Sequence, residues 1–255
     1  MAPETPVFHV EAFHLVFLRV LETKLDRSHY VVKGGVNLRA WFGSARYSED
    51  LDIDAVAVET HVLRDAVDKL LGAPAFVMLL RTQGLALTRI SRPKQTDTTQ
   101  RWKLELRANR LGLPLHTKVE FSRRGTDDDY LLEPVLLEIA RPHGIPAPTA
   151  NHYTPAATAR QKIGALAGRR EPQARDVWDL DHLFRTRGAD PRPLPPASKR
   201  ILRQAIERVL EMPFEAFRAQ VVPFLAPEAQ ELSGSSEAWE RMRELVLDRL
   251  MELEK

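Results

Sequence analysis

Two hydrophobic patterns divide this chain of 255 residues, and together they restrict the folds open to it. Residues 30–121 hold short alternating and β-branched stretches punctuated by glycine and proline, a pattern that predicts strands. From residue 155 onward, apolar side chains recur at helical spacing. Four prolines within residues 141–155 indicate a linker or a covering loop. We therefore predict an α+β protein, with a mixed-sheet domain at 1–145 and an α-helical domain at 146–255.

The individual elements follow from the same periodicities. Strands are predicted at 30–32, in the second half of 46–58, and at 76–90, 101–109 and 115–121, and helices at 7–24, 60–71, 155–170, 173–187, 197–211, 213–225 and 236–254.

The composition excludes several classes of protein. Hydrophobic residues make up 44% of the chain and charged residues 28%, which is an ordinary globular composition. The absence of cysteine excludes disulfides, thiolate zinc sites and cysteine nucleophiles. The net charge of +2 neither requires nor excludes a nucleic-acid partner. No secretory signal and no membrane span are recognisable, so we expect a soluble cytoplasmic protein.

The segment 50–55 alternates aspartate with apolar residues. In a strand, Asp50, Asp52 and Asp54 project from one face while the residues between them face a core. A second alternating stretch brings a further carboxylate, Glu120. Mg²⁺ or Mn²⁺ would relieve the repulsion among such carboxylates and bridge them to substrate phosphates. The alternative is a solvated edge strand whose charges block sheet extension.

A glycine pair, Gly34 and Gly35, separates a short β-type run from a helical run. Such a turn presents backbone N–H groups to phosphate, although it also occurs as a tight connection without ligand. Lys33 precedes it, as a phosphate ligand or as a surface lysine. Arg46 and Ser48 precede the aspartates, where both could contact phosphate, or Ser48 could instead satisfy a turn.

Charged residues also recur in the helical half. Lys162 and Arg169 lie on one helix face, where the lysine could neutralise a triphosphate and the arginine could contact an RNA backbone. The alternative is a solvated helix face. Asp176 and Asp179 share a face of the next helix. We predict an active-site role for Asp176, with a cap or salt bridge as its alternative, and a structural role for Asp179.

Two motifs resemble the AbiEii/AbiGii toxin family of the DNA polymerase β-type nucleotidyltransferase superfamily. The first joins KGGVNLR at residues 33–39 to RYSEDLD at 46–52, and is similar to the family's K-G-G-x-x-L and R-[FY]-S-x-D-[LI]-D. The second joins Lys162 and Arg169 to RDVWDL at residues 175–180. Together the motifs cover about residues 30 to 185, and the last seventy residues match no motif.

The resemblance implies transfer of a nucleotide from a nucleoside triphosphate, with pyrophosphate leaving. It also implies a toxin of a type IV toxin–antitoxin system, with a nearby antitoxin and with tRNA as the acceptor of related members. By register, the family's metal pair falls on Asp50 and Asp52, and Glu120 stands where an aspartate is common. Gly34-Gly35 replaces the superfamily's Gly-Ser, so Ser48 or backbone N–H groups would take over the phosphate contact.

Two alternatives stay open at this point. The acceptor of the nucleotide could be a protein or a small molecule, or the chain could be a non-catalytic nucleotide-binding module of the same fold. Residue patterns do not identify the base that is used.

Overall fold

The computed structural model of the protein describes residues 5–109, 111–123, 129–194 and 198–255. It contains two compact units, of which the first comprises Met1–Gly43 and Tyr47–Tyr153 and the second comprises Ser44–Arg46 and Thr154–Lys255. Strands lie in the first unit and helices dominate the second, so the predicted α+β class is confirmed. The domain boundary at residues 145 and 146 stays a prediction.

A single mixed sheet organises the first unit. In the described residues it has seven strands: β1 Tyr30–Lys33, β2 Leu51–Ala55, β3 Leu85–Gln95, β4 Thr99–Ala108, β5 Leu115–Ser122, β6 Tyr130–Pro134 and β7 Thr149–Tyr153. Their order across the sheet is β3-β4-β5-β2-β1-β7-β6. The pairs β2–β5 and β1–β7 are parallel, and the remaining pairs are antiparallel.

The helices divide between the two units. The first unit has α1 Pro6–Leu21, α2 Gly34–Phe42, α3 Thr60–Leu71, α4 Pro74–Thr82 and the short α5 Leu137–Ala140. The second unit has α6 Pro155–Gly168, α7 Ala174–Thr186, α8 Ser198–Leu210, α9 Phe214–Gln220, α10 Pro227–Ser233 and α11 Ser236–Glu254.

One face of the β3–β4–β5 region carries the hydrophobic core. The alternation of these strands buries Trp102 on β4 together with Val119 and Phe121 on β5. Helix α1 contacts β5 on this face, and its fully buried Phe13 packs edge-on against Phe76 of α4 at 6.0 Å between ring centroids. The Trp102 indole N–H donates to Asp68 on α3 over 2.8 Å. The charged residues between these apolar positions therefore point to the opposite face.

Two sequence predictions differ from the structure. The β-type stretch predicted at 76–90 is wrong in its first part, because α4 extends to Thr82 and β3 begins only at Leu85. Phe76 and Leu80 are one helical turn apart and both are buried, so tertiary packing decides between helix and strand for this apolar run.

The region 141–155 is also more than a linker. It contains β7, which lies inside the sheet between β1 and β6. His152 of this strand is fully buried, with Nδ1 3.0 Å from the Asn37 side-chain oxygen and its ring stacked 4.6 Å from Trp41. Because partners satisfy its polar groups, this polar segment can form an internal strand of the sheet.

The second unit has its own aromatic core. Phe217 stacks on Trp239 at 4.7 Å between ring centroids and on Trp178 at 6.0 Å, and thereby joins α9, α11 and α7. Among the described residues, no helix is long and apolar enough to cross a membrane.

Candidate active site

The turn between β1 and α2 brings backbone close to a carboxylate. Gly34 begins α2 with φ +70°, a conformation that side chains with a Cβ rarely adopt. A Cβ at this position would lie 3.3 Å from Asp52 Oδ2. Lys33, the N-cap residue, directs its ammonium to Asp54 and Ser122, so the first-turn N–H groups of α2 remain available to an anion.

Replacing Gly34 with alanine is expected to cost about 1–2 kcal/mol of stability, because left-handed backbone is strained for alanine. The new methyl group would also displace Asp52, so we expect nucleotide transfer to fall about tenfold or more. Gly164→Ala is the matched control, since no described atom lies within 4 Å of a Cβ built there. Transfer at the wild-type rate by Gly34→Ala would contradict this account of the turn.

Strand register gathers the predicted carboxylates. Asp52 on β2 lies directly opposite Glu120 on β5. Lys118, two residues before Glu120, places its ammonium 2.8 Å from Asp50 Oδ2 and 4.0 Å from Asp52 Oδ1. The pKa of Asp52 is raised above its usual value, mainly by burial and further by the charges of Asp50 and Glu120. The Lys118 ammonium acts in the opposite direction. The three carboxylates thus lie close enough to repel one another.

The donors of this site fit a divalent cation in part. Mg²⁺ in phosphoryl-transfer sites takes one or two carboxylates together with substrate phosphates, and Asp50 and Asp52 provide such a pair. The third predicted ligand, Glu120, forms an ion pair with Arg101 on β4. Among the described residues, no group of three or more metal-ligating side chains is arranged to hold an ion. The metal role of Glu120 therefore stays a prediction.

Asp54 differs from the other two aspartates of its strand. Its carboxylate is buried and accepts from Lys33, from Ser122 and, over 2.9 Å, from the Tyr153 hydroxyl. These three contacts occupy both of its oxygens. These surroundings favour a structural role for Asp54, and the Lys33 ammonium is bound to its carboxylate.

The loop before β2 is held by Ser48, for which the sequence leaves a turn-stabilising role open, and by Thr117, which is not among the predicted residues. The Ser48 hydroxyl donates to the Asp50 carbonyl over 2.8 Å. The Thr117 hydroxyl donates to the Glu49 carbonyl over 2.7 Å and lies 3.0 Å from His14 Nε2. In the structure Ser48 therefore stabilises the turn that orients Asp50, and its predicted phosphate contact stays a prediction.

The buried His14 leads to a pH prediction. Burial lowers the pKa of His14 to about 4, although the charges of Asp50 and Glu11 raise it. Between pH 6.5 and 4 the unfolded chain binds a proton here that the folded chain does not. The free energy of unfolding should therefore fall by up to about 3 kcal/mol on acidification from this residue alone.

Urea denaturation at pH 7 and pH 4.5 measures this effect. We expect His14→Gln to lose less stability on acidification than the wild type does. An identical loss in the two proteins would show that His14 is not the group responsible.

A second cluster of predicted residues lies within the second unit. Lys162 on α6 places its ammonium 3.0 Å from Asp176 Oδ1 and 2.5 Å from Asp179 Oδ2, both on α7. Arg46 lies 2.9 Å from Asp179 Oδ2 through a guanidinium nitrogen, and Arg169 lies 3.0 Å from Asp176. Apart from Arg169, all of these side chains are largely buried.

The charges in this cluster balance each other. Burial would raise the pKa of Asp179, but Arg46 and Lys162 hold it below its usual value. A structural role for Asp179 is predicted from the sequence. Its pairing with Arg46, which lies 133 residues away, is not. The predicted nucleotide contacts of Arg46 and Lys162, and the catalytic role of Asp176, stay predictions.

The predicted residues thus fall into two groups, one in each unit. The group in the first unit consists of Lys33, Gly34, Gly35, Ser48, Asp50, Asp52 and Glu120. The group in the second unit consists of Arg46, Lys162 and Asp176. The sequence analysis missed Lys118 and Arg101. Lys118 could have been found from its alternation with Glu120, whereas Arg101 reaches Glu120 only through the pairing of β4 with β5.

Comparisons with known proteins agree with this fold. MenT4, a nucleotidyltransferase toxin from Mycobacterium tuberculosis, aligns over 96% of this chain and 92% of its own, with a TM-score of 0.58 and 19% identity. JHP933 from Helicobacter pylori aligns over 99% of this chain and 96% of its own, with a TM-score of 0.54 and 17% identity. No curated protein matches the chain significantly in sequence.

The family match extends over most of the chain. Residues 16–252 match the family described as "Nucleotidyl transferase AbiEii toxin, Type IV TA system". This range includes the glycine turn, the carboxylate pair and the Lys162 cluster. The chain therefore belongs to the AbiEii family of nucleotidyltransferase toxins of type IV toxin–antitoxin systems.

Proposed function

We propose that this nucleotidyltransferase moves a nucleoside monophosphate from a nucleoside triphosphate to the 3′ end of an RNA acceptor, tRNA in the first place. The observation that carries the proposal is the nearness of the Gly34 turn to Asp52, since a Cβ built on Gly34 would lie 3.3 Å from Asp52 Oδ2. This nearness supports an anion-binding role for the N-terminus of α2 beside the carboxylate pair.

In the proposed reaction the acceptor 3′-oxygen attacks the α-phosphorus. The bond from that phosphorus to the α,β-bridging oxygen breaks, and pyrophosphate leaves. The first-turn N–H groups at Gly34 and Gly35 bind phosphate oxygens, and Glu120 takes the proton of the attacking hydroxyl. Catalysis in this scheme comes mainly from positioning and charge neutralisation.

A divalent cation, Mg²⁺ or Mn²⁺, held by Asp50 and Asp52 would supply further charge neutralisation at the phosphates. Lys118 positions both carboxylates through its ammonium, 2.8 Å from Asp50 and 4.0 Å from Asp52. We retain Glu120 as a third ligand for this group. In the second unit, Lys162 is proposed to bind the triphosphate, and Asp176 to orient Lys162.

A type IV system implies a cognate antitoxin, which we expect to be encoded nearby. A cytoplasmic location fits an enzyme that uses nucleoside triphosphates and tRNA.

The acceptor is tested with each of the four α-³²P-labelled nucleoside triphosphates, offered with total tRNA, protein fractions or small-molecule extract. We expect label in tRNA only. Oxidising the terminal ribose with periodate should abolish labelling, because the attacking hydroxyl is then lost. Label that appears only on protein or on a small molecule would contradict the RNA acceptor, and no label in any fraction would favour a non-catalytic binding module.

A further inference from the structure

The outward face of the β3–β4–β5 region carries a row of cations opposite the buried tryptophan face. We define the basic face by Arg89 and Lys94 on β3 and by Lys103 and Arg107 on β4. Three of these residues are exposed and Lys94 is half-buried. Strand register confirms their common orientation, since Lys94 pairs with Arg101, and Lys103 with Lys118.

The four cations of the basic face are not ion-paired within the described residues, although Glu105 on β4 lies opposite Arg89 in the strand register. None of them forms an ion pair or a side-chain hydrogen bond with any residue that the structure describes. Their neighbours differ, because Arg101 and Lys118 are paired with carboxylates on the same face. Residues 85–122 contain eight lysines and arginines against three acidic residues, whereas the whole chain is nearly balanced at +2. The excess charge is thus local.

This face is continuous with the proposed active site. Lys103 pairs with Lys118, Arg101 pairs with Glu120, and Glu120 pairs with Asp52 on β2. With neighbouring strands about 4.8 Å apart, β3 lies roughly 14 Å from β2 across the sheet. A ligand that touches both the basic face and Asp52 must therefore span about this distance with several anionic groups, which a polynucleotide backbone does.

We propose that the basic face binds the phosphate backbone of the RNA acceptor and leads its 3′ end to Asp52. This inference rests on the proposed function, because it assumes that RNA is the acceptor. Unpaired lysines and arginines on an exposed surface are suited to phosphate contacts, and each such contact releases counterions. RNA binding should therefore weaken steeply as salt increases.

The test is RNA binding without turnover. Fluorescence anisotropy of labelled tRNA is measured over a range of KCl concentrations, without nucleoside triphosphate and in an Asp52→Asn background. For Arg89→Glu/Lys103→Glu we expect affinity to fall about tenfold or more, and the slope of log affinity against log salt to become shallower by about 1.4.

The matched control is Lys69→Glu/Arg81→Glu, which makes the same charge change at exposed positions on α3 and α4. Helix α3 packs on the opposite, tryptophan side of the sheet. We expect this pair to bind tRNA within about twofold of the parent. If the charge-reversed variant Arg89→Glu/Lys103→Glu does not fold, the charge-neutralised variant Arg89→Gln/Lys103→Gln gives the same comparison.

Equal losses in the two pairs, or no loss in either, would overturn the inference, as would a parent protein that does not bind tRNA. The outcome is separable from the proposed function. If the face variants lose RNA binding but the wild type transfers no nucleotide to RNA, the result supports the RNA-binding role of the basic face and contradicts the proposed reaction. Equal labelling of tRNA by the wild type and by face variants that retain Asp52 would support the reaction and contradict the RNA-binding role of the basic face.

Discussion

Replacing Asp52 with asparagine is expected to lower nucleotide transfer at least about a thousandfold while the protein remains folded. Asp52 lies against the Gly34 turn, opposite Glu120 and 4.0 Å from the Lys118 ammonium. Removing its charge removes half of the proposed cation-binding pair. A loss of several kcal/mol in transition-state stabilisation corresponds to about three powers of ten in rate.

The measurement is the initial rate of label transfer from an α-³²P nucleoside triphosphate to tRNA, with thermal unfolding followed in parallel. Asp65→Asn is the control, because Asp65 is an exposed aspartate on α3. It should keep the wild-type rate. A rate for Asp52→Asn within tenfold of wild type would remove Asp52 from the chemistry.

Replacing Asp179 with asparagine is expected to lower the free energy of unfolding by about 3–5 kcal/mol, since it removes a buried carboxylate that two buried cations share. Asp179 is fully buried and contacts both the Arg46 guanidinium, at 2.9 Å, and the Lys162 ammonium, at 2.5 Å. Because unfolding is measured without nucleotide, the same variant shows whether the cluster of Arg46, Lys162 and Asp179 stabilises the fold apart from any nucleotide contact.

Urea denaturation measures this loss. Asp181→Asn on the same helix is the control, because Asp181 pairs with Arg185, which is half exposed. Although Asp181 is buried, water reaches the exposed half of Arg185 and weakens the pair, so the control should lose clearly less stability than Asp179→Asn. A loss below about 1 kcal/mol for Asp179→Asn would show that the cluster does not hold the second unit together.

The strand that carries the site was predictable from local pattern alone. Alternation from Asp50 to Ala55 fixes which side chains face the core and which project, and β2 has this arrangement. The glycine pair likewise predicts the connection to α2, and the structure adds that Gly34 needs its glycine for two reasons, a left-handed φ and the nearness of Asp52.

The partners of these residues were not predictable in the same way, because they depend on strand order. Asp50, Asp52 and Asp54 are equivalent in the pattern, and only the pairing of β1 with β7 brings Tyr153 to Asp54 and sets it apart. Similarly, Lys118 meets Asp50 only because β5 runs parallel beside β2.

The long-range ion pair of the second unit has the same origin. Arg46 precedes the carboxylate strand in sequence, and this position suggests a phosphate contact, which stays a prediction. In the structure it belongs with residues 154–255 and binds Asp179. Nothing in the local pattern of either residue indicates the other, since both are charged residues with many alternative partners.

The central claim, nucleotidyl transfer to RNA, is tested most directly by the position of the label in the donor. The purified protein is incubated with tRNA and a nucleoside triphosphate labelled with ³²P at either the α- or the γ-phosphate. We predict that α-label enters tRNA and that γ-label is released as pyrophosphate. Transfer of γ-label to the RNA, or failure of α-label to enter it with any of the four nucleotides, would contradict this account.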